Sequence, residues 1–162
     1  MLINMIAAIG RNRELGKDNK LLWNIPDDMV RFKKLTNGNT VIMGRKTYES
    51  LPAKFRPLPN RINIVVTRNR AYTSVGCEIS NSIEEALRQA QGKPAKEVFI
   101  IGGANIYAQG IKYADKLYLT LIDKEFPDAD AFFPDYSDFK KIVKEEKKSD
   151  GKFIYRFVEL EK

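Results

Sequence analysis

Leu2 to Ile9 is apolar at every one of its eight positions except Asn4, and that near-continuous run constrains the fold more than any other feature. A strand with one wet face alternates apolar and polar residues, so an almost unbroken run belongs to a central strand buried on both faces. Such a strand needs cover above and below, and the remainder of the chain alternates strands with helices in the order that supplies it. Asn12 to Ile25 is polar, carries Gly16 and shows neither period; long connections of this kind are often functional lids. Pro26 stands where a helix begins, with Asp27 and Asp28 in its first turn, and Asn37-Gly38 ends that helix near Thr36. Thr40 to Met43 reads as a strand, followed by Gly44 and a helix to about Leu51. Three prolines make Pro52 to Asn60 an extended loop. Ile62 to Thr67 and Gly76 to Ile79 read as strands, and Ser82-Ile83-Glu84-Glu85 matches a capping box opening a helix that Gly92 to Pro94 closes. Glu97 to Ile101 is a strand ending at Gly102-Gly103, a helix follows from about Ala104 to Gly110, and Lys116 to Ile122 is a further strand. The tail, about Phe139 to Val143 and Phe153 to Leu160, reads as a hairpin joined across Ser149-Asp150-Gly151. With 162 residues and no repeat or linker, the expectation is a single domain over residues 1–162. Its fold class is α/β: a mostly parallel central sheet of about eight strands with an antiparallel C-terminal hairpin, flanked by about four helices.

Composition narrows the chemistry. There is no histidine and only one cysteine, Cys77, which excludes Ser-His-Asp and Cys-His catalysis, an internal disulfide and a thiolate metal cluster. No metal is expected, and any general acid or base must be a carboxylate, Lys, Tyr or water. Lys and Arg outnumber Asp and Glu by 28 to 21, a net charge of +7 that favours anionic partners. The basic residues are spread out, apart from the mixed stretch Lys140 to Lys148, so a nucleic-acid partner is not expected. No apolar run approaches the roughly 20 residues that span a bilayer. Met1 to Asn4 lacks a basic leader, so the expected location is cytoplasmic, without a membrane partner.

Four local features carry possible chemistry. Asp28 shares a helix face with Phe32 and Leu35, whereas Asp27 lines up with Arg31 and Lys34 as an exposed pair. Asp28 then either complements the helix dipole or is an inward acid awaiting a cationic or amide-like ligand. Gly102-Gly103, between a strand and a helix, is either an ordinary turn or a place where backbone approaches a phosphate closely; it is not the GxGxxG fingerprint. Gly44-Arg45-Lys46-Thr47 and Thr67-Arg68-Asn69-Arg70 each place cations and hydroxyls after a strand, which suits either solvated loops or a ligand with several phosphates.

Longer strings go further. Ile6-Ala7-Ala8, Leu15-Gly16, Trp23-Asn24-Ile25-Pro26-Asp27-Asp28, Phe32-Lys33, Val41 to Ser50, Arg56-Pro57-Leu58-Pro59-Asn60-Arg61 with Asn63, Ile101-Gly102-Gly103 with Ile106-Tyr107, Leu117 to Thr120 and Phe133-Pro134 occur together. In content, order and spacing they are similar to dihydrofolate reductases of the bacterial chromosomal type, across essentially the whole chain.

That resemblance implies reduction of 7,8-dihydrofolate to 5,6,7,8-tetrahydrofolate, with hydride from NADPH reaching C6 and a proton reaching N5, in support of one-carbon and thymidylate metabolism. It implies that Asp28 grips the pterin through its 2-amino group and N3, supported by Thr120 through its hydroxyl and a water, and that Trp23 and Leu21 lie by the reacting rings. Ile6, Ala8, Met29, Phe32, Leu51, Leu58 and Ile101 would wall the pocket, and Arg61 would bind the α-carboxylate of the substrate's glutamate. For NADPH it implies Ala8, Leu15, Gly16, Gly44, Arg45, Lys46, Thr47, Val66, Thr67, Arg68, Ile101, Gly102, Gly103, Ala104, Asn105, Ile106 and Tyr107, with arginine accommodating the 2′-phosphate and a cis peptide joining the glycine pair. Asn12 to Ile25 would be the mobile lid. Asp28 would tune protonation electrostatically while a water delivers the proton. The implied partners are dihydrofolate and antifolate-type small molecules, and the implied state is a monomer.

Three departures from the family pattern bear on the lid and the substrate loop. Leu22 stands where proline usually precedes the tryptophan, Pro52 to Phe55 lengthen the substrate loop, and Ala129 replaces a common glycine beside Asp130. Two rivals remain: a related-fold reductase of the riboflavin-synthesis kind, which would lack the Asp28 and Arg61 pairing, and a non-enzymatic anion-binding module, which leaves an inward acid unexplained.

Overall fold

The computed structural model describes residues 1–162. Its elements are β1 (Leu2–Ile9), β2 (Glu14–Gly16), α1 (Pro26–Thr36), β3 (Thr40–Gly44), α2 (Arg45–Ser50), β4 (Ile62–Val66), β5 (Glu78–Ser80), α3 (Ile83–Gln91), β6 (Glu97–Ile100), α4 (Ala104–Gly110), β7 (Lys116–Ile122), β8 (Ala131–Phe132), β9 (Lys141–Ser149) and β10 (Ile154–Glu161). Short 3-10 turns at Ala53–Phe55 and Ile111–Tyr113 complete the list. Eight strands form one sheet in the order β5-β4-β3-β6-β1-β7-β10-β9, parallel except for β10, which runs antiparallel to both β7 and β9. The expected mostly parallel sheet with its antiparallel C-terminal hairpin and four helices is therefore present.

β1 lies inside the sheet between β6 and β7, as its apolar run requires. Alternate residues feed two different cores. Met5, Ala7, Ile9, Ile42, Ile64, Val98, Ile100, Leu117 and Leu119 join the side covered by Ile83, Ala86, Leu87 and Ala90 of α3 and Ile106 and Tyr107 of α4. Ile6, Val41, Met43, Val65, Phe99 and Tyr118 join the opposite side, against Tyr48 of α2 and Phe32 and Leu35 of α1. A third aromatic cluster gathers Trp23, Ile25, Ile122, Phe126, Phe153, Tyr155 and Phe157 at the end of β7.

Several boundaries differ from expectation. Within Asn12 to Ile25, which shows neither period, a short strand forms: β2 pairs antiparallel with β8, Glu14 opposite Phe132. β9 runs through Lys144 to Lys148, beyond the expected end at Val143, because an exposed edge strand tolerates charges that hide its period. The capping box is offset: the Ser82 hydroxyl accepts the Glu85 N–H at 3.1 Å, but the Glu85 carboxylate accepts from Asn81 N–H at 2.9 Å instead of from Ser82. The proposed Asp27–Arg31 surface pair is absent. Arg31 is half-buried, its guanidinium 4.6 Å from the Phe157 ring centre, while Asp27 turns to Lys148 Nζ at 3.6 Å and the Tyr155 hydroxyl at 3.4 Å. The aromatic cluster beneath α1 is what draws Arg31 inward.

Ile42, with no exposed surface at the centre of β3, makes a stringent check of this packing. Ile42→Ala should cost about 2–5 kcal/mol of stability in urea unfolding, with an unchanged slope.

Candidate active site

The C-terminal ends of β1, β3, β6 and β7 converge at one rim of the sheet, where open α/β sheets hold their ligands. Ala8 pairs in register with Thr120, on the same face as Ile6 and Tyr118. From α1, Asp28 reaches this face, and the Thr120 hydroxyl donates directly to its Oδ1 at 2.5 Å. The helix puts Asp28 there because Pro26 starts it and Phe32 and Leu35, one and two turns on, anchor the same side in the core. Asp28 is half-buried, and burial pushes its carboxyl above the ordinary carboxylate range; the Thr120 bond and the Arg31 charge oppose that rise, and Asp27 adds to it.

Around this acid the structure brings together Ile6, Ala8, Phe32, Leu51, Leu58, Ile101 and Thr120, all buried or half-buried. Met29 is 54% exposed and Leu21 is 59% exposed. Trp23 is buried with its ring 4.9 Å from that of Phe126, and its indole N–H has no protein acceptor. Arg61 lies beyond Phe32, its guanidinium 5.9 Å from the ring centre. Its Nε donates to the Pro59 carbonyl at 2.9 Å and its Nη1 to Thr36 Oγ1 at 3.1 Å. Burial lowers its pKa from the usual arginine value.

The second half of the site is a backbone cradle. Gly44 N–H donates to the Gly102 carbonyl at 2.8 Å, tying the end of β3 to the end of β6. The Gly102–Gly103 peptide is cis, as the family resemblance implied. Gly102 has φ +119°, and a Cβ there would meet the Tyr107 ring at 3.2 Å; one on Gly103 would meet Thr47 Oγ1 at 3.2 Å; one on Gly44 would meet Ile106 at 3.1 Å. Side chains are thus excluded where α2 and α4 begin and leave first-turn N–H groups free. Arg45 and Thr47 are half-buried and Lys46 and Arg68 exposed around this cradle, with Val66 and Thr67 buried at the end of β4. Ala104 and Asn105 form the first turn of α4, while Tyr107 donates its hydroxyl to the Ile6 carbonyl at 2.7 Å, so it acts as a floor joining the two halves. Leu15 is buried in the α3–α4 core cluster, and Gly16 is packed so tightly that a Cβ would clash with the Lys20 carbonyl.

Sequence reasoning gave no role to several residues that shape this site. Asn63, buried in β4, holds the substrate loop by accepting Leu58 N–H at 2.9 Å and donating to the Leu58 and Arg61 carbonyls at 3.0 Å each. A polar residue inside the apolar run Ile62 to Val66 was a visible signal. Thr36, which orients Arg61, had none. The loop insertion forms the Ala53–Phe55 turn, and Arg56 closes it onto the Glu49 and Leu51 carbonyls at 2.9 and 2.7 Å before a cis Arg56–Pro57 bond. Two surface clefts of about 480 and 270 Å³ lie elsewhere, the first beside the β9–β10 ribbon and the second between α1 and β9. Four of the charged groups lining the first pair with one another, Arg11 with Asp123 and Arg156 with Glu145, and the rim with the buried acid and the glycine cradle is the stronger candidate.

Comparison with known proteins decides the family. The dihydrofolate reductase family model matches residues 2–162. The chain belongs to the dihydrofolate reductase family. It is 42% identical to the dihydrofolate reductase of Bacillus subtilis (strain 168), over 99% of this chain and 95% of that protein. It is 45% identical to the type 3 dihydrofolate reductase of Salmonella typhimurium, over 84% of this chain and 80% of that protein. The solved dihydrofolate reductase of Enterococcus faecalis, complexed with NADP(H) and RAB-propyl, superposes with a TM-score of 0.88 at 30% identity, covering 99% of this chain and 95% of that one.

The raised carboxyl of Asp28 has a consequence for stability. A carboxyl whose folded value exceeds its unfolded value binds protons more readily when folded, so stability falls as pH rises from the unfolded value through the folded one. Asp28→Asn removes that cost and still accepts from Thr120. It should melt higher than the parent at pH 7, the gap closing as pH falls into the ordinary carboxylate range; thermal unfolding across pH reads it.

Proposed function

We propose that residues 1–162 form one catalytic domain that reduces 7,8-dihydrofolate to 5,6,7,8-tetrahydrofolate with NADPH, and that Asp28 is the acid holding the pterin. The observation that carries this reading is a half-buried carboxylate, bonded by Thr120, on an apolar face that adjoins a glycine cradle. An inward charge of this kind costs free energy until a ligand meets it with donors. A carboxylate accepts two bonds side by side, which matches the 2-amino group and N3 of a pterin. Ile6, Ala8, Phe32, Leu51, Leu58 and Ile101 exclude water from the ring, with Met29 and Leu21 at the lip. Arg61, fixed through Nε and Nη1, keeps Nη2 for the α-carboxylate of the substrate's glutamate.

The residues of the cradle fit NADPH. Gly44, Gly102 and Gly103 clear space that a Cβ would fill, with Ala104, Asn105, Ile106 and Tyr107 continuing it along α4. Arg45, Lys46, Thr47, Thr67 and Arg68 supply cations and hydroxyls for phosphates, the 2′-phosphate included, and Val66 lies beside them. Ala8, Leu15 and Gly16 border the nicotinamide side, beneath the lid that contains Trp23. NADPH, when bound, supplies the hydride. The protein's own contribution is to orient the two rings and exclude water, and Asp28 biases protonation of N5 electrostatically while a water delivers the proton.

The reading takes the enzyme as a monomer. No helix is long and apolar enough to cross a membrane. The reading places the enzyme in the cytoplasm, without nucleic-acid or membrane partners, and makes antifolate-type small molecules ligands of the same acid.

Asp28→Asn should slow hydride transfer on the order of 100-fold in single-turnover absorbance measurements; an unchanged rate and pH profile would remove Asp28 from the mechanism. Arg61→Ala should weaken dihydrofolate binding about 10- to 100-fold while NADPH affinity stays constant. Equilibrium titration followed by Trp23 fluorescence measures both.

A further inference from the structure

Glu14 has no part in the assignments above, yet it is only 2% exposed, at the root of the lid. A buried position beside Leu15 is ordinarily filled by an apolar side chain, and a carboxylate there is costly unless fully bonded. Glu14 is bonded on both oxygens. Oε1 accepts the Asn12 N–H at 2.5 Å, and Oε2 accepts the Phe126 N–H at 2.5 Å, joining segments 112 residues apart in sequence. Its main-chain carbonyl also accepts Gly10 N–H at 3.0 Å.

What Glu14 grips is the backbone of the residue that supports the lid's tryptophan. The Phe126 ring lies 4.9 Å from the Trp23 ring, tilted by 52°. Gly10 makes room for this meeting, since a Cβ there would fall 2.7 Å from the Phe126 ring and 2.9 Å from Glu14 Oε1. The other ties between these segments include Asp130 N–H to the Gly16 carbonyl at 3.0 Å, Phe133 N–H to the Arg13 carbonyl at 2.8 Å, Asp18 N–H to Asp130 Oδ2 at 3.1 Å and the half-buried bond from Arg13 Nη1 to the Phe133 carbonyl at 2.7 Å. Glu14 is the one buried side chain among those that make them.

We propose that Glu14 is a positioning residue of the lid: by clamping the Phe126 main chain it sets the ring on which Trp23 rests, and through Trp23 the placement of the lid over NADPH. The proposal rests on reading Asn12 to Ile25 as that lid. Glu14→Gln keeps the shape but turns an amide N–H toward one of the two donors, which opens the clamp.

Trp23 is the only tryptophan, so its emission reports the clamp directly. In Glu14→Gln the emission should shift to the red and the acrylamide quenching constant should rise about twofold, with NADPH dissociation about threefold faster. Arg11→Ala, which breaks the exposed 2.7 Å pair with Asp123 in the same region, should leave all three unchanged. An unmoved Trp23 signal in folded Glu14→Gln, or an equal shift in Arg11→Ala, overturns the proposal. A moved Trp23 signal with unchanged NADPH release upholds the link from Glu14 through Phe126 to Trp23 and removes the lid reading beneath it. If Glu14→Gln does not fold, amide exchange in the wild-type holoenzyme decides: the Asn12 and Phe126 N–H groups should be protected together with the Trp23 indole N–H, and free exchange at Phe126 overturns the clamp.

Discussion

The pairing of Ala8 with Thr120 is the constraint from which the site follows. Side chains along a strand alternate between faces, so a one-residue slip of β7 against β1 would turn Thr120 into the core beneath α3 and α4. Asp28 would then lose its only side-chain hydrogen bond and face apolar surface unpaired. Such a slip would also put Leu117 and Leu119 on the wrong side and Tyr118 in a space built for leucine. The apolar alternation that stabilises the sheet therefore aims the hydroxyl at the acid. Core packing and catalytic geometry are one requirement here.

The loops around that rim are held by few but well-bonded buried polar groups. Asn63 carries the substrate loop, Thr36 takes both the Phe32 carbonyl as acceptor and Arg61 as donor, and Tyr107 ties α4 to β1. Each such bond contributes only about 0.5–1.5 kcal/mol net, but leaving its partner unpaired costs about 1–3. That asymmetry makes these residues better at enforcing one loop conformation than at adding stability. It is the property a site needs when two rings must be held face to face.

Much of this was legible in the sequence, and what was not has identifiable physical causes. Leu2 to Ile9 announced a central strand, Pro26 and the spacing of Asp28, Phe32 and Leu35 announced an inward acid, and Ser82 announced α3. Arg31 was misread because helical spacing says which residues share a face, not that a cation will stack on aromatics supplied by a strand more than a hundred residues later. β2 and β8, with three and two residues, are too short to show a period. β9 shows none because its exposed edge is charged through Lys148. The bonds of Asn63 stay within five residues and depend on how the loop folds back, that of Glu14 to Phe126 spans 112, and for both the sequence offers only the oddity of a polar residue among apolar ones.

That oddity has a further meaning at the lid. Where the family pattern expects proline before the tryptophan, this chain has Leu22, whose φ is free to rotate. Leu22 compensates in part by packing with the Trp23 cluster, as does Ala129 from the facing loop. The freedom lost covalently in a proline is here restrained by contacts instead: an aromatic pair, the two-residue β8 ladder and a buried carboxylate. Contacts of this kind can open and re-form, whereas a pyrrolidine ring is a permanent restraint. The segment Asn12 to Ile25 is accordingly one whose order depends on the loop opposite it, so Phe126 to Phe133 and that segment form one structural unit.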